Sequence, residues 1–94
     1  MREQRFRNVW DAIENSPEQV ANMKARSDVL IAIRKTVDGW KVTQTVAARR
    51  LGITQPRMND LMRGRINKFS LDALTNLAAR AGLSVRVRVT RSAA

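Results

Sequence analysis

The stretch QTVAARRLGITQPRMNDLMRG, Gln44 to Gly64, contains two short runs with apolar side chains at helical spacing, joined at one glycine. Thr43 can cap a helix that begins at Gln44, and Gly52 tolerates the positive φ that a tight corner needs. Thr54 can cap the next helix in the same way, and Gly64 can end it. The spacing therefore predicts two short helices that meet at a steep angle.

The composition indicates one small basic domain. The chain has 94 residues, 44% of them hydrophobic, and a formal net charge of +10. Residues 1–38 carry seven basic and six acidic side chains, whereas residues 39–94 carry eleven basic and two acidic ones. Such segregation favours a polyanion partner, with nucleic acid ahead of an anionic membrane surface. A basic surface that serves only solubility is the plain alternative.

Several classes of chemistry are disfavoured by the residues that are missing. The chain has no cysteine and no histidine, which excludes thiolate nucleophiles, imidazole bases and the commonest zinc sites. The eight carboxylates are scattered, and no glycine-rich phosphate loop accompanies them. The longest apolar run, Val29 to Ile33, is far too short to span a membrane. We therefore expect a cytoplasmic protein without enzymatic activity, metal, cofactor or membrane contact.

Two further helices flank the quoted stretch. Ser16 begins the sequence SPEQ, which predicts the start of a long helix that ends at Asp38 and Gly39. Its expected apolar face consists of Val20, Met23, Leu30, Ile31, Ile33 and Val37. Ser70 caps the last predicted helix, which ends at Gly82. The buried stripe expected for that helix consists of Leu71, Leu74, Leu77, Ala78 and Ala81.

The end of the chain changes its period from helical to alternating. Leu83, Val85, Val87 and Val89 alternate with polar side chains, which is typical of a β-strand. A lone strand leaves its backbone donors and acceptors without partners. We therefore predict that this strand pairs with the same segment of a second molecule, giving a symmetric dimer.

Two short helices around a glycine corner make a helix-turn-helix, whose second helix can lie in the major groove of DNA. An ordinary helical hairpin within a bundle is the alternative. Gln44, Ala48, Gly52 and Met58 have the spacing of the XRE class, so the stretch resembles Cro/C1-type repressors. The resemblance covers about residues 18–82 and implies an all-α bundle of four to five helices, so we expect a helix-turn-helix domain at residues 16–82. An arm at 1–15 precedes it, and the strand and tail at 83–94 follow it.

The resemblance makes the helix that starts after Thr54 the recognition helix, with Gln44 and Gln55 as polar groups that meet at the DNA. Met58, Leu61 and Met62 share one face and should be buried. Arg57 is then on the flank, and the side chains that point away from the core are those of Pro56, Asn59, Asp60 and Arg63. The residues expected to read bases are Gln44, Gln55, Arg57 and Asn59. The residues expected to hold phosphates are Lys41, Thr43, Arg49, Arg50, Thr54, Arg63, Arg65 and Lys68.

Asp60 is an acidic side chain on this otherwise basic surface. It can pair with Arg57 or Arg63, three residues away on the helix, or accept a hydrogen bond from a cytosine amino group. The ion pair is the preferred interpretation. RNA is disfavoured as the nucleic acid, because the chain's four aromatic side chains offer no stacking platform for bases.

The arm at residues 1–15 carries apolar side chains at helical spacing beside acidic ones. These apolar residues are Phe6, Val9, Trp10 and Ile13. They can pack on the domain's own core, or they can dock on another protein. The layout of arm, helical domain and basic strand is similar to HigA-like antitoxins, which implies autoregulation of an operon and neutralisation of a RelE/ParE-like toxin. The alternatives are a free-standing regulator of the same class and a basic protein that binds acidic surfaces.

Overall fold

The computed structural model describes residues 16–91, which form four α-helices and one short 3-10 helix. The helices are α1 (Pro17–Trp40), α2 (Gln44–Leu51), α3 (Gln55–Met62) and α4 (Leu71–Arg80), and the 3-10 helix at Ile66–Lys68 connects α3 to α4. The predicted helical bundle is therefore confirmed, and the 3-10 helix is an element that the sequence did not predict. The arm at residues 1–15 lies outside the described residues.

Each α-helix begins at the predicted cap. The hydroxyl groups of Ser16, Thr43, Thr54 and Ser70 accept hydrogen bonds from the backbone amides three residues ahead, over 3.4, 3.2, 3.3 and 3.0 Å. Gly52 adopts a φ of 69° at the end of α2. These caps satisfy amides that the helices themselves leave free, so they fix where each helix starts.

The end of α1 differs from the prediction. The helix continues through Gly39 to Trp40 instead of ending at the Asp38 and Gly39 pair. Lys41 takes the left-handed conformation, with a φ of 56°, and its amide donates to the carbonyl of Asp38. The extra residues place the Trp40 side chain against the core, and that packing outweighs the local preference of glycine to end a helix.

The core lies where the four helices meet. Met58 and Leu61 of α3 are fully buried and Met62 is partly buried, which confirms the predicted inward face of that helix. Phe69, just before α4, is also buried. The remaining buried side chains are Leu30, Ile33, Val37, Ala47, Ala48, Leu51, Leu74, Leu77 and Ala78.

The predicted apolar face of α1 is only partly correct. Leu30, Ile33 and Val37 are buried, but Val20, Met23 and Ile31 keep 46%, 36% and 54% of their surface exposed. A helix of 24 residues is about 36 Å long, whereas α4, its main packing partner, has 10 residues. The first two turns of α1 therefore extend beyond the bundle, and every side chain from 17 to 24 is exposed.

Residues 83–91 follow α4 without forming a helix or a strand in the single chain. Leu83 is partly buried against the core, and its amide donates to the carbonyl of Ala78 over 2.9 Å. Beyond it, no backbone hydrogen bond joins residues 84–91 to any other residue of the range 16–91. Val87 and Val89 are 83% and 88% exposed. Within the described residues, the segment therefore leaves apolar side chains exposed and backbone groups without hydrogen-bond partners.

Candidate nucleic-acid interface

Three hydrogen bonds stabilise the corner between α2 and α3, two from its own backbone amides and one from a side chain of α4. The amides of Gly52 and Ile53 donate to the carbonyls of Arg49 and Ala48 over 3.2 and 3.0 Å. The Arg80 guanidinium of α4 donates to the carbonyl of Leu51 over 2.9 Å. This last bond satisfies a carbonyl that the end of α2 leaves free, and it ties the corner to the rest of the bundle. Three hydrogen bonds therefore stabilise the corner that precedes α3.

Gln55, the first residue of α3, contacts α2 directly. Its side-chain Nε2 donates a hydrogen bond of 2.6 Å to Oγ1 of Thr45, which lies in the first turn of α2. Both side chains are exposed, and so is that of Gln44. The structure therefore brings Gln55 together with Thr45, a residue that sequence reasoning had not selected.

Arg57 is less available than expected. Its guanidinium lies over the Phe69 ring, 4.3 Å from the ring centroid, and donates to the backbone carbonyl of Lys68 over 3.1 Å. The side chain is only partly exposed. These contacts tie α3 to the segment before α4, so Arg57 must leave them before it can reach a base.

Asn59 and Asp60 lie on the outward side of α3 and are both partly exposed. The carboxylate of Asp60 accepts a hydrogen bond of 2.8 Å from the Arg65 guanidinium, and the two side chains form a salt bridge through this contact. An ion pair was expected, but the expected partners, Arg57 and Arg63, were wrong. The chain turns back after Gly64, where φ is 72°, and this turn brings Arg65 to Asp60. The pair reduces the repulsion between this carboxylate and a nearby anion.

The eight side chains expected to hold phosphates are all exposed. The hydroxyl groups of Thr43 and Thr54 accept the capping amides, which leaves their own hydrogens free to donate. Arg50 lies over the Trp40 ring at 5.0 Å, and Arg65 is engaged by Asp60. Lys41, Arg49, Arg63 and Lys68 make no side-chain hydrogen bond within residues 16–91.

Part of the positive charge serves the fold itself. Arg26 of α1 donates to the carbonyls of Ile66 and Phe69 over 3.1 and 3.4 Å, and Arg80 holds the corner after Leu51. Sequence reasoning missed both roles, because their partners lie 29 to 43 residues away along the chain. Thr45 could have been identified from the sequence, since it has a hydroxyl side chain in the first turn of α2, next to the predicted contact Gln44.

Comparisons with known proteins agree with this geometry. The model of a family described as "Helix-turn-helix domain" matches residues 12–90. The chain therefore belongs to that family of helix-turn-helix domains, a DNA-binding class and not an enzyme class. A solved structure with the provisional name XRE family transcriptional regulator shares the fold, with a TM-score of 0.69 and 24% sequence identity. The similarity covers 77% of this chain and 81% of that one.

No curated protein shows a significant match to the chain. Within residues 16–91, no helix is both long and apolar enough to cross a membrane. The same residues contain no group of three acidic side chains placed to hold a metal ion.

Proposed function

We propose that the protein is a sequence-specific transcriptional repressor that binds duplex DNA through α3. The observation that carries this proposal is the outward polar face of α3, where Gln55 is exposed and Asn59 is partly exposed, opposite the buried side chains of Met58 and Leu61. Glutamine and asparagine can each form two hydrogen bonds with adenine in the major groove. The eight phosphate candidates are exposed and lie before and within α2 and on either side of α3 along the chain, which supports a helix in the groove with contacts to the DNA backbone beside it.

The repressor acts as a homodimer whose two copies pair through residues 83–90. The backbone groups of this segment lack hydrogen-bond partners within residues 16–91, and the side chains of Val87 and Val89 are exposed. An antiparallel partner strand would supply hydrogen bonds to these backbone groups and cover the two valines, which supports the proposal. Symmetric pairing would also present two α3 helices to a palindromic operator. The operator affinity of such a dimer depends on both half-sites being occupied together.

A further part of the proposal is that the protein is the antitoxin of a toxin–antitoxin operon and neutralises a RelE/ParE-like toxin. The similarity in layout to HigA-like antitoxins supports it, as does the apolar pattern Phe6, Val9, Trp10 and Ile13 in the arm. In the described part of the chain, Val20, Met23 and Ile31 form an exposed apolar stripe on α1. At about 100° per residue these three fall within roughly 80° of one another, on one side of the helix.

Selection from a pool of random duplexes tests DNA recognition directly. We expect the full chain to enrich one palindromic sequence and to bind it at least about a thousandfold more tightly than random duplex. A parallel titration with vesicles of anionic lipid separates DNA binding from general attraction to polyanions. Binding of all duplexes and vesicles alike, without enrichment, would contradict sequence-specific recognition.

A free-standing regulator of the same class is the second candidate function. It makes the same predictions for DNA but has no toxin. Co-expression of the chain with the product of the neighbouring reading frame distinguishes the two, because an antitoxin should co-purify with its toxin and abolish its toxicity. Absence of a complex with that product would favour the free-standing regulator.

A further inference from the structure

We infer that pairing of two copies through residues 83–90 builds a binding site for phosphate oxyanions, an inference that rests on the proposed dimer. Arg86 and Arg88 alternate along this segment with three valines. Successive side chains of a strand point to opposite faces, so the two arginines would share the face opposite the valines once the segment forms a strand. Both arginines are exposed in the single chain.

A symmetric antiparallel pair places the arginines of the two copies against one another. Residues that lie directly opposite in such a pair have their side chains on the same face. Any register that keeps all the valines on one face therefore puts Arg86 and Arg88 of both copies on the other. When the two-fold axis passes through Val87, each Arg86 lies opposite the partner's Arg88, with the two Cβ atoms about 4.5–5.5 Å apart. Ser84 and Thr90 flank these two pairs.

Too little negative charge lies near the segment to offset these arginines. The last acidic residue of the chain is Asp72, so arginine is the only charged side chain type in residues 73–94. Asp28 of α1 lines the spaces between α1 and the segment, but it forms no salt bridge with Arg86 or Arg88 within residues 16–91. One carboxylate in each copy can match at most one of its two arginines. Because like charges directly opposite destabilise a strand pair, an anion on this face would strengthen the dimer.

Phosphate-type oxyanions have the chemistry that this face recognises. A guanidinium can donate two parallel hydrogen bonds to phosphate oxygens, and the serine and threonine hydroxyls beside the arginines add further donors. A multivalent oxyanion can bridge two arginines, whereas chloride only screens their repulsion. The segment borders α1 and α4, so this anion site is separate from α3. Free phosphate and the backbone of a nucleic acid both present the required group.

Sedimentation equilibrium of the full chain measures the dimer dissociation constant at one fixed ionic strength, set by sodium chloride or by sodium phosphate. We expect this constant to be about threefold to thirtyfold lower in phosphate, the scale of two opposed cross-strand charge pairs. The variant with both Arg86→Gln and Arg88→Gln should dimerise equally in the two salts, and more tightly than the wild type does in chloride. Lys35→Gln removes an exposed charge from α1 and should behave like the wild type.

A second double variant separates recognition by guanidinium from charge alone. Arg86→Lys with Arg88→Lys keeps the charges but loses the planar fork, so its dimer should stay weak and gain less from phosphate than the wild type. All of these side chains are exposed, so every variant should keep the wild-type Tm.

A short single-stranded oligonucleotide, added in chloride, identifies the source of the phosphate. If it strengthens the wild-type dimer while inorganic phosphate does not, the ligand is a nucleic-acid backbone; if inorganic phosphate strengthens the dimer, the free ion suffices. A wild-type dimer that neither probe strengthens would overturn the inference, as would a glutamine variant that keeps the full effect. A wild-type chain that is monomeric in every solution, or a Val87→Pro variant that stays dimeric, would instead refute the proposed strand dimer, so the two failures are distinguishable.

Discussion

Replacement of Gly52 by alanine should destabilise the helix-turn-helix corner. Gly52 has a φ of 69°, and a Cβ at this position would lie 3.2 Å from Nη1 of Arg80. The left-handed conformation costs a residue with a side chain about 1–2 kcal/mol. The Arg80 guanidinium would have to shift by a few tenths of an ångström, which weakens its bond to the Leu51 carbonyl and adds up to about 1 kcal/mol. We therefore expect Gly52→Ala to lower the free energy of unfolding by about 2 kcal/mol, and Tm by about 10 °C.

Gly39→Ala is the matched control for this experiment. Gly39 lies inside α1, and a Cβ there would meet no atom within 4 Å. Alanine is the better helix former, so this variant should be as stable as the wild type or more stable by about 0.5 kcal/mol. Urea titrations of both variants, followed by circular dichroism, measure the difference. If Gly52→Ala is as stable as Gly39→Ala, the conformational account of the corner is wrong.

Three other predictions concern the dimer, the basic residues and the arm. Val87→Pro should convert the dimer to a monomer in analytical ultracentrifugation and weaken operator binding, while Val87→Thr should stay dimeric because it keeps the backbone donor. Arg50→Ala should weaken binding to specific and random duplex alike and reduce the slope of log affinity against log salt by about 0.9. Arg80→Ala should instead lower Tm, because the Arg80 side chain donates a hydrogen bond to the corner between α2 and α3. Deletion of residues 1–14 should abolish co-purification of the toxin and leave operator binding and Tm nearly intact; a truncated chain that unfolds, or still holds the toxin, would contradict this.

The helix-turn-helix could be predicted from the sequence because its signals are local. Thr43 and Thr54 are caps that act within three residues, and Gly52 acts on its own backbone. The inward face of α3 followed from its period for the same reason. Such features depend on neighbours along the chain, and they need no knowledge of the rest of the fold.

The features that escaped prediction depend on distant parts of the chain. The period of α1 cannot show that the bundle beside it is too short to cover Val20 and Met23. The stacking of Arg57 on Phe69 and the bond from Arg80 to Leu51 join residues 12 and 29 positions apart. The first of these contacts affects the candidate site directly, because it engages Arg57, which was predicted to read a base.

The most direct test of base reading by α3 is the ratio of specific to random affinity in Gln55→Ala. Gln19→Ala is a matched control, since Gln19 is also an exposed glutamine in the first turn of a helix, but on α1. Affinities for the enriched duplex and for a random duplex are measured at one salt concentration. Gln55→Ala should lose about 1–3 kcal/mol of binding free energy at the enriched duplex and little at the random one, and Gln19→Ala should lose neither. An unchanged ratio in Gln55→Ala would contradict the assignment of α3 as the recognition helix.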